Sequence, residues 1–394
     1  MCIRDRYYVT RNNTSILAFK VGTKLDNYSF NIVTSHTDSP TFKVKENAEI
    51  EVKNKYTQLN TEGYGGMLCA TWLDRPLSIA GRVLVSEGNS IVTKLLNIDR
   101  DLLMIPNVAI HMNRAANDGF KYNLQVDMLP LLSAGDDRQK DFKQILADEL
   151  GVKKEDILGH DLYLYNRMAP SIWGANEEFI SAGHLDDLQC GFASLKALLA
   201  GYNDESIDIM ACFDNEEVGS GTKQGADSTL LRDTLIRINS ALGKTEEDYH
   251  RALASSFMLS ADNAHAVHPN HPEHTDATNC TYMNEGVVVK SHAGQKYTSD
   301  GVSMAVVKAL ASGADVPLQY FANRSDKAGG STLGNIAMAQ ASMNAVDIGL
   351  PQLAMHSSYE TAGIKDTYYA ISLMKALFDS HIQETSTHSL EIKR

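Results

Sequence analysis

An apolar strand that stops at a run of acids constrains this chain more than any other feature. Within 181–221 (SAGHLDDLQCGFASLKALLAGYNDESIDIMACFDNEEVGSG), His184, Asp186 and Asp187 head a segment whose apolar residues Leu188, Phe192, Leu195, Leu198 and Leu199 recur at helical spacing. A break follows at 201–205. Then 207–213 reads as a buried strand that ends at Asp214-Asn215-Glu216-Glu217. A helix with acids at its start beside a strand with acids at its end is a βα layout, with carboxylates along one sheet edge. Open α/β sheets bind their ligands at that edge. Carboxylates held that close raise one another's pKa unless a cation neutralises them. A solvated acidic turn would use the same residues, so the rest of the chain has to decide.

The length of 394 residues suits two domains, or one large domain with an insertion. The net charge of −13 argues against nucleic acid or an anionic membrane as partner. No apolar run approaches the ~20 residues of a membrane span. Cys2, Cys69, Cys190, Cys212 and Cys280 are scattered and lack CxxC spacing, which suits reduced thiols. With no secretory pattern at the start, a cytoplasmic protein is expected.

In chain order, 7–20 reads as a hairpin turning at Asn12-Asn13. The opening 1–6 does not lead naturally into it, so a preceding N-terminal piece is expected. A short strand at 29–34 runs into Ser35-His36-Thr37-Asp38-Ser39-Pro40. His-x-Asp after a buried strand suits a metal ligand with an acid that aims it, against the competing reading of a structural histidine. The block 42–169 is strand-rich, including 109–112, with a short helix at 141–150, and reads as an inserted domain in which His111 is structural. A strand at 258–260 leads to Asp262. His265, His268, His271 and His274 then lie in HAVHPNHPEH, a tract that suits either metal binding or a partly exposed loop. Gly329-Gly330-Ser331-Thr332 lacks the P-loop lysine and reads as a tight loop. His356 stands at a further strand-to-helix junction.

The candidates reduce to His36, Asp186, Glu216, Glu217, Asp262 and His356, each at or just past the end of an apolar segment. Two imidazoles and three carboxylates are what two zinc ions share when one carboxylate bridges them. Paired ions can activate a common water and polarise a carbonyl. The remaining acid is available as general base. The expected fold is α/β, a central mixed sheet flanked by helices, with an inserted β-rich domain.

SHTDSP, GHLDDL, DNEEVGSG, SADNAHAVHPN and QLAMHSSYE resemble, in order and spacing, the signatures of the aspartyl aminopeptidase family of dizinc metallopeptidases. The resemblance runs from Tyr7 nearly to the C-terminus. It implies two Zn2+ per subunit, with Co2+ or Mn2+ as possible substitutes. His36, Asp186 and Asp262 would hold one ion. A bridging Asp186, Glu217 and His356 would hold the other, with Glu216 as base and Asp38 as the supporting acid. It implies a zinc-peptidase-like catalytic domain of residues 1–41 and 170–394 and a dimerisation domain of 42–169, whose His111 would enter the partner's active site. It further implies a homo-oligomer, a dodecamer built from dimers. Lys290 and Tyr297 match residues lining the pocket for the first side chain. Departures are the absent N-terminal helical lead, Met67 and Cys69 in YGGMLCATW, and His184 and Asp187 in GHLDDL. They leave the ligands intact but bear on substrate preference.

The expected activity is therefore release of N-terminal residues, acidic ones (Asp or Glu) foremost, from peptides. A buried Lys290 would favour an acidic side chain by charge pairing, whereas a lysine reaching solvent would not. The alternatives are a related metal-dependent amidohydrolase of N-acyl amino acids and a non-catalytic assembly scaffold that keeps the fold.

Overall fold

The computed structural model describes residues 6–135, 141–386 and 389–393. Cys2 and the opening stretch up to Asp5 lie outside the described residues. The chain divides into two compact units. Met1–Ser39, Ser171–Met355 and Glu360–Arg394 form the first, and Pro40–Pro170 with His356–Tyr359 the second.

The first unit opens on a hairpin of β1 (Arg6–Arg11) and β2 (Ser15–Val21). Its turn residues Asn12 and Asn13 have φ of 58° and 57°. That left-handed pair matches the twist of a tight hairpin, and asparagine tolerates it at low cost. Next come β3 (Ser29–His36), β4 (Ser206–Phe213), β5 (Phe257–Ala261), β6 (Val287–Lys290), β7 (Leu318–Phe321) and β8 (Asn344–Gly349). Among the described residues these make an eight-stranded mixed sheet of order β1-β2-β4-β3-β5-β8-β6-β7. The run β4, β3, β5, β8 is parallel, while β2 and β6 oppose their neighbours β4 and β8.

Six helices of this unit follow among the described residues: α1 (Leu185–Ala200), α2 (Leu230–Ala241), α3 (Glu246–Ala254), α4 (Gly301–Gly313), α5 (Leu333–Gln340) and α6 (Asp366–Phe378). The central strands are buried throughout because alternate residues serve opposite faces, each covered by helices. Val33, Met210, Leu259 and Ala261 pack against α1, α4 and α6. Phe30, Ile32, Ile209 and Met258 pack against α2, α3 and α5.

α1 does not bury the stripe its sequence advertises. Leu188, Phe192, Leu195 and Leu199 are 39–51% exposed, and the small residues Cys190, Ala193 and Ala197 lie on the sheet with Leu198. These small side chains pack directly on the sheet, and a Cβ at Gly191 would make ordinary contact with Cys212 Sγ.

The strands also align their ends. Phe213 pairs with His36 across β4 and β3, so the acidic turn starts beside the histidine. Asp262 follows β5 directly. A smaller sheet, of five strands among the described residues, is made of Ser171–Trp173, Phe179–Ala182, Glu360–Gly363, Pro351–Leu353 and Ala264–His265, and leads into α1 and so carries Asp186.

The second unit is a six-stranded antiparallel sheet among the described residues, in the order Ser90–Asn97, Leu77–Glu87, Ile157–Asn166, Thr41–Val52, Tyr56–Tyr64 and Leu131–Ala134. Trp72, Leu77, Ile79 and Leu164 fill its core. Its helix Phe142–Leu150 is capped by the Asp141 carboxylate at one end and by left-handed Gly151 at the other. The strand expected at 109–112 is instead a series of turns, with Ile110 and Met112 exposed. His356–Tyr359 joins this unit through hydrogen bonds. Ser358 donates its hydroxyl to the Thr71 carbonyl at 2.7 Å, and Tyr359 donates to the Ala169 carbonyl at 2.8 Å. Among the described residues no helix is long and apolar enough to cross a membrane.

Candidate metal centre

At the aligned strand ends of the first unit, His36, Asp186 and Asp262 each offer a ligand atom within 4.8 Å of the others, and so do His36, Glu216 and Glu217. His36 Nε2 lies 3.4 Å from Asp186 Oδ1 and 3.7 Å from Asp262 Oδ1. The opposite ring nitrogen faces Asp38, 3.0 Å from its carbonyl oxygen and 3.4 Å from its carboxylate. Asp38 also accepts the backbone N–H of Glu216 at 3.1 Å and of Glu217 at 3.2 Å. One carboxylate thus sets the aim of the imidazole and the conformation of the two-glutamate turn. That turn is entered through left-handed Asn215, at φ 62°. The first turn of α1 is equally specialised: Asp186 and Asp187 depart from helical dihedrals and share a cis peptide bond.

The electrostatics of this cluster are set by burial and by crowding of like charges. Burial and the nearby Asp262 and Asp186 charges lift the Glu216 carboxyl to about 8. Burial, then Asp186, lift Glu217 to about 10. Burial alone would lower His36, but Asp186, Asp262 and Asp38 outweigh it and hold the imidazole well above its ordinary value. Asp262 moves the other way. Burial pushes its carboxyl up, yet the Lys290 ammonium and His36 more than reverse that. The donor set, an imidazole nitrogen with several carboxylate oxygens crowded together, fits a divalent zinc-type cation.

Lys290 is buried at the end of β6. It donates to the carbonyls of Asp262 at 2.8 Å and Asn263 at 3.2 Å, with the Asp262 carboxylate 3.6 Å away and the Tyr297 ring centroid at 5.5 Å. Lys290 therefore adjoins Asp262, with Tyr297 beside Lys290. His111 is exposed, on a turn of the second unit. His356 also belongs to the second unit, its Nδ1 2.9 Å from the Gly66 carbonyl oxygen.

Three supports were not anticipated. Asp187 accepts the His36 backbone N–H at 3.1 Å. Glu360 accepts the Asp186 N–H at 3.0 Å. Asn263 ties α1 to the smaller sheet by donating to Leu185 O and Gln352 Oε1. The only signal for them was position, Asp187 and Asn263 beside candidate ligands and Glu360 within the His356 segment. Their partners are mostly backbone atoms that sequence does not reveal.

Comparison with known proteins places this geometry in context. Residues 2–378 match the family described as "Aminopeptidase I zinc metalloprotease (M18)". The "Probable M18 family aminopeptidase 2" of Clostridium novyi is 46% identical over 380 residues, covering 95% of this chain and 88% of that protein. A chain in the cryo-EM structure of the Ape4 and Nbr1 complex superposes with a TM-score of 0.91 at 35% identity, over 95% of this chain and 76% of that one. The S. cerevisiae mApe1 dodecamer gives a TM-score of 0.79 at 27% identity, over 95% and 85% of the two chains.

Proposed function

This chain belongs to the M18 aminopeptidase family of zinc metalloproteases, and on that premise we propose that it releases acidic N-terminal residues from peptides with two zinc ions. Family membership makes it a zinc-dependent hydrolase of peptide bonds. The observation that carries the finer reading is the meeting of His36, Asp186, Asp262, Glu216 and Glu217 at one sheet edge. His36, Asp186 and Asp262 are assigned to one ion, and Asp186 and Glu217 to the other. His356 is the further ligand of that second ion on the strength of its sequence signature.

Bound zinc supplies a Lewis acid for the scissile carbonyl and brings the pKa of a water toward neutrality. The chain's own residues do the rest. Asp38 keeps the His36 ring and the Glu216-Glu217 turn in register. Glu216, adjacent to a ligand but not needed as one, takes a proton from the attacking water and delivers it to the leaving amine. Replacing Glu216 by Gln is expected to leave the zinc content intact while lowering kcat by at least about 100-fold, the scale of general base catalysis. Elemental analysis beside a peptidase assay checks this. Full turnover in a zinc-replete Glu216→Gln protein removes Glu216 from the mechanism.

For the acidic preference, the support is the buried positive charge of Lys290 beside Asp262, with Tyr297 next to it. A panel of Asp, Glu, Leu and Lys aminoacyl substrates tests it. Asp and Glu should lead in kcat/KM, and Lys290→Met should narrow that lead. A wild-type enzyme fastest on Leu ends the proposal.

Assembly as a homo-oligomer, a dodecamer built from dimers through the second unit, is proposed on two grounds. One is the likeness to the mApe1 dodecamer. The other is apolar surface left uncovered in this chain, on α1 and around Ile110, Met112 and Val126 of the second unit, where His111 is assigned to a partner's active site. The described cysteines Cys69, Cys190, Cys212 and Cys280 are free thiols, which supports a cytoplasmic setting.

A further inference from the structure

We propose that His271, Glu273 and His274 form a separate surface metal site that takes one divalent ion of the zinc, nickel or copper class. None of the three belongs to the centre described above. One ligand atom from each lies within 4.8 Å of the others. His271 Nδ1 stands 3.0 Å from Glu273 Oε1, and His274 Nε2 stands 4.0 Å from the same oxygen. Tetrahedral zinc with bonds of ~2.0–2.2 Å spaces its ligand atoms by roughly 3.3–3.6 Å. The two separations to Glu273 bracket that range, and the rings are exposed and able to rotate. The His271 and His274 rings are stacked, centroids 5.4 Å apart and planes at 25°. On the other side of His271 lies the His268 ring, also at 5.4 Å, a candidate fourth donor.

Exposed side chains ordinarily lose such an arrangement to rotamer and backbone freedom. Here the backbone is fixed. The His271 N–H donates to the His268 carbonyl at 3.0 Å, and the His274 N–H to the His271 carbonyl at 3.2 Å. The Thr275 hydroxyl donates to the Pro272 carbonyl at 2.7 Å. Pro269 and Pro272 each lock one φ. The Arg324 guanidinium donates to the Glu273 carbonyl and is paired with Asp326 at 2.9 Å. Two imidazoles and one carboxylate select borderline transition metals over magnesium or calcium, which take all-oxygen sets. The site also borders a cavity of about 250 Å³ that His268, His274, Arg324 and Lys327 help to line, so an ion here alters the wall of that cavity.

The test uses the full chain, stripped of metal and then dialysed to equilibrium against Zn2+. Wild type should hold one more zinc per subunit than the His271→Ala/His274→Ala double variant, with both showing the same circular dichroism and melting temperature when metal-free. Loaded with Cu2+, the difference between the two should be a single copper signal with nitrogen hyperfine structure. Glu273→Gln, which keeps both imidazoles but replaces the anionic ligand oxygen with a neutral amide, should weaken binding at this site measurably. Equal zinc content in wild type and double variant, or unchanged affinity in Glu273→Gln, overturns the proposal. Because the readout is a difference in bound metal, it is independent of whether the catalytic assignment holds.

Discussion

Glu216 and Glu217 keep their protons in the metal-free centre to about pH 8 and about pH 10, against an ordinary glutamate value of 4.5. The folded state then binds more protons than the unfolded state between those limits. Stability contributed by these protonated groups is fully present below about pH 4.5 and is lost as pH rises through the folded values. The raised His36 acts in the same direction. Asp262, held low, titrates below this window. A cation relieves the repulsion and displaces the protons, so zinc should raise the melting temperature of metal-free protein more at pH 8.5 than at pH 6. Thermal melts with and without zinc measure this, and an equal or smaller shift at pH 8.5 contradicts it. At this scale the centre was partly legible in the sequence. His36, Asp186, Glu216, Glu217 and Asp262 each follow or close an apolar run, and parallel strands bring such ends together. Asp38 was legible as a partner of His36. Its grip on the two-glutamate turn was not, because that grip is made to backbone N–H groups 178 and 179 residues away.

Among the elements, α1 shows what periodicity can and cannot decide. The apolar recurrence identifies a helix, but hydrophobicity alone does not say which stripe meets the sheet. A crowded, fully buried parallel sheet selects small residues for close approach, so Cys190, Ala193 and Ala197 went inward and Phe192 outward. The two faces should therefore respond differently. Ala197→Leu overpacks the interface and should cost about 1–3 kcal/mol. Phe192→Glu, on the exposed stripe, should leave the unfolding of the subunit nearly unchanged while lowering the assembled mass. Urea denaturation and light scattering report the two effects, and a Phe192→Glu protein that loses fold stability as Ala197→Leu does would mean this stripe is core. The 109–112 segment failed for a related reason. Its residues are exposed, and turns prevail over a strand.

For the whole molecule, the mixed sheet and its flanking helices were readable because strand and helix patterns alternate along the first unit. The membership of His356–Tyr359 in the second unit was not readable. It depends on hydrogen bonds from Ser358 and Tyr359 to residues far away in sequence, Thr71 and Ala169. The central claim is that the first unit's carboxylate-rich edge holds a pair of ions sharing Asp186. Anomalous X-ray diffraction at the zinc edge, from crystals of zinc-loaded protein, addresses it most directly. Two peaks ~3.5–4 Å apart, each ~2.0–2.2 Å from an oxygen of Asp186, are predicted. A single peak there, or two peaks neither of which touches Asp186, would contradict the account.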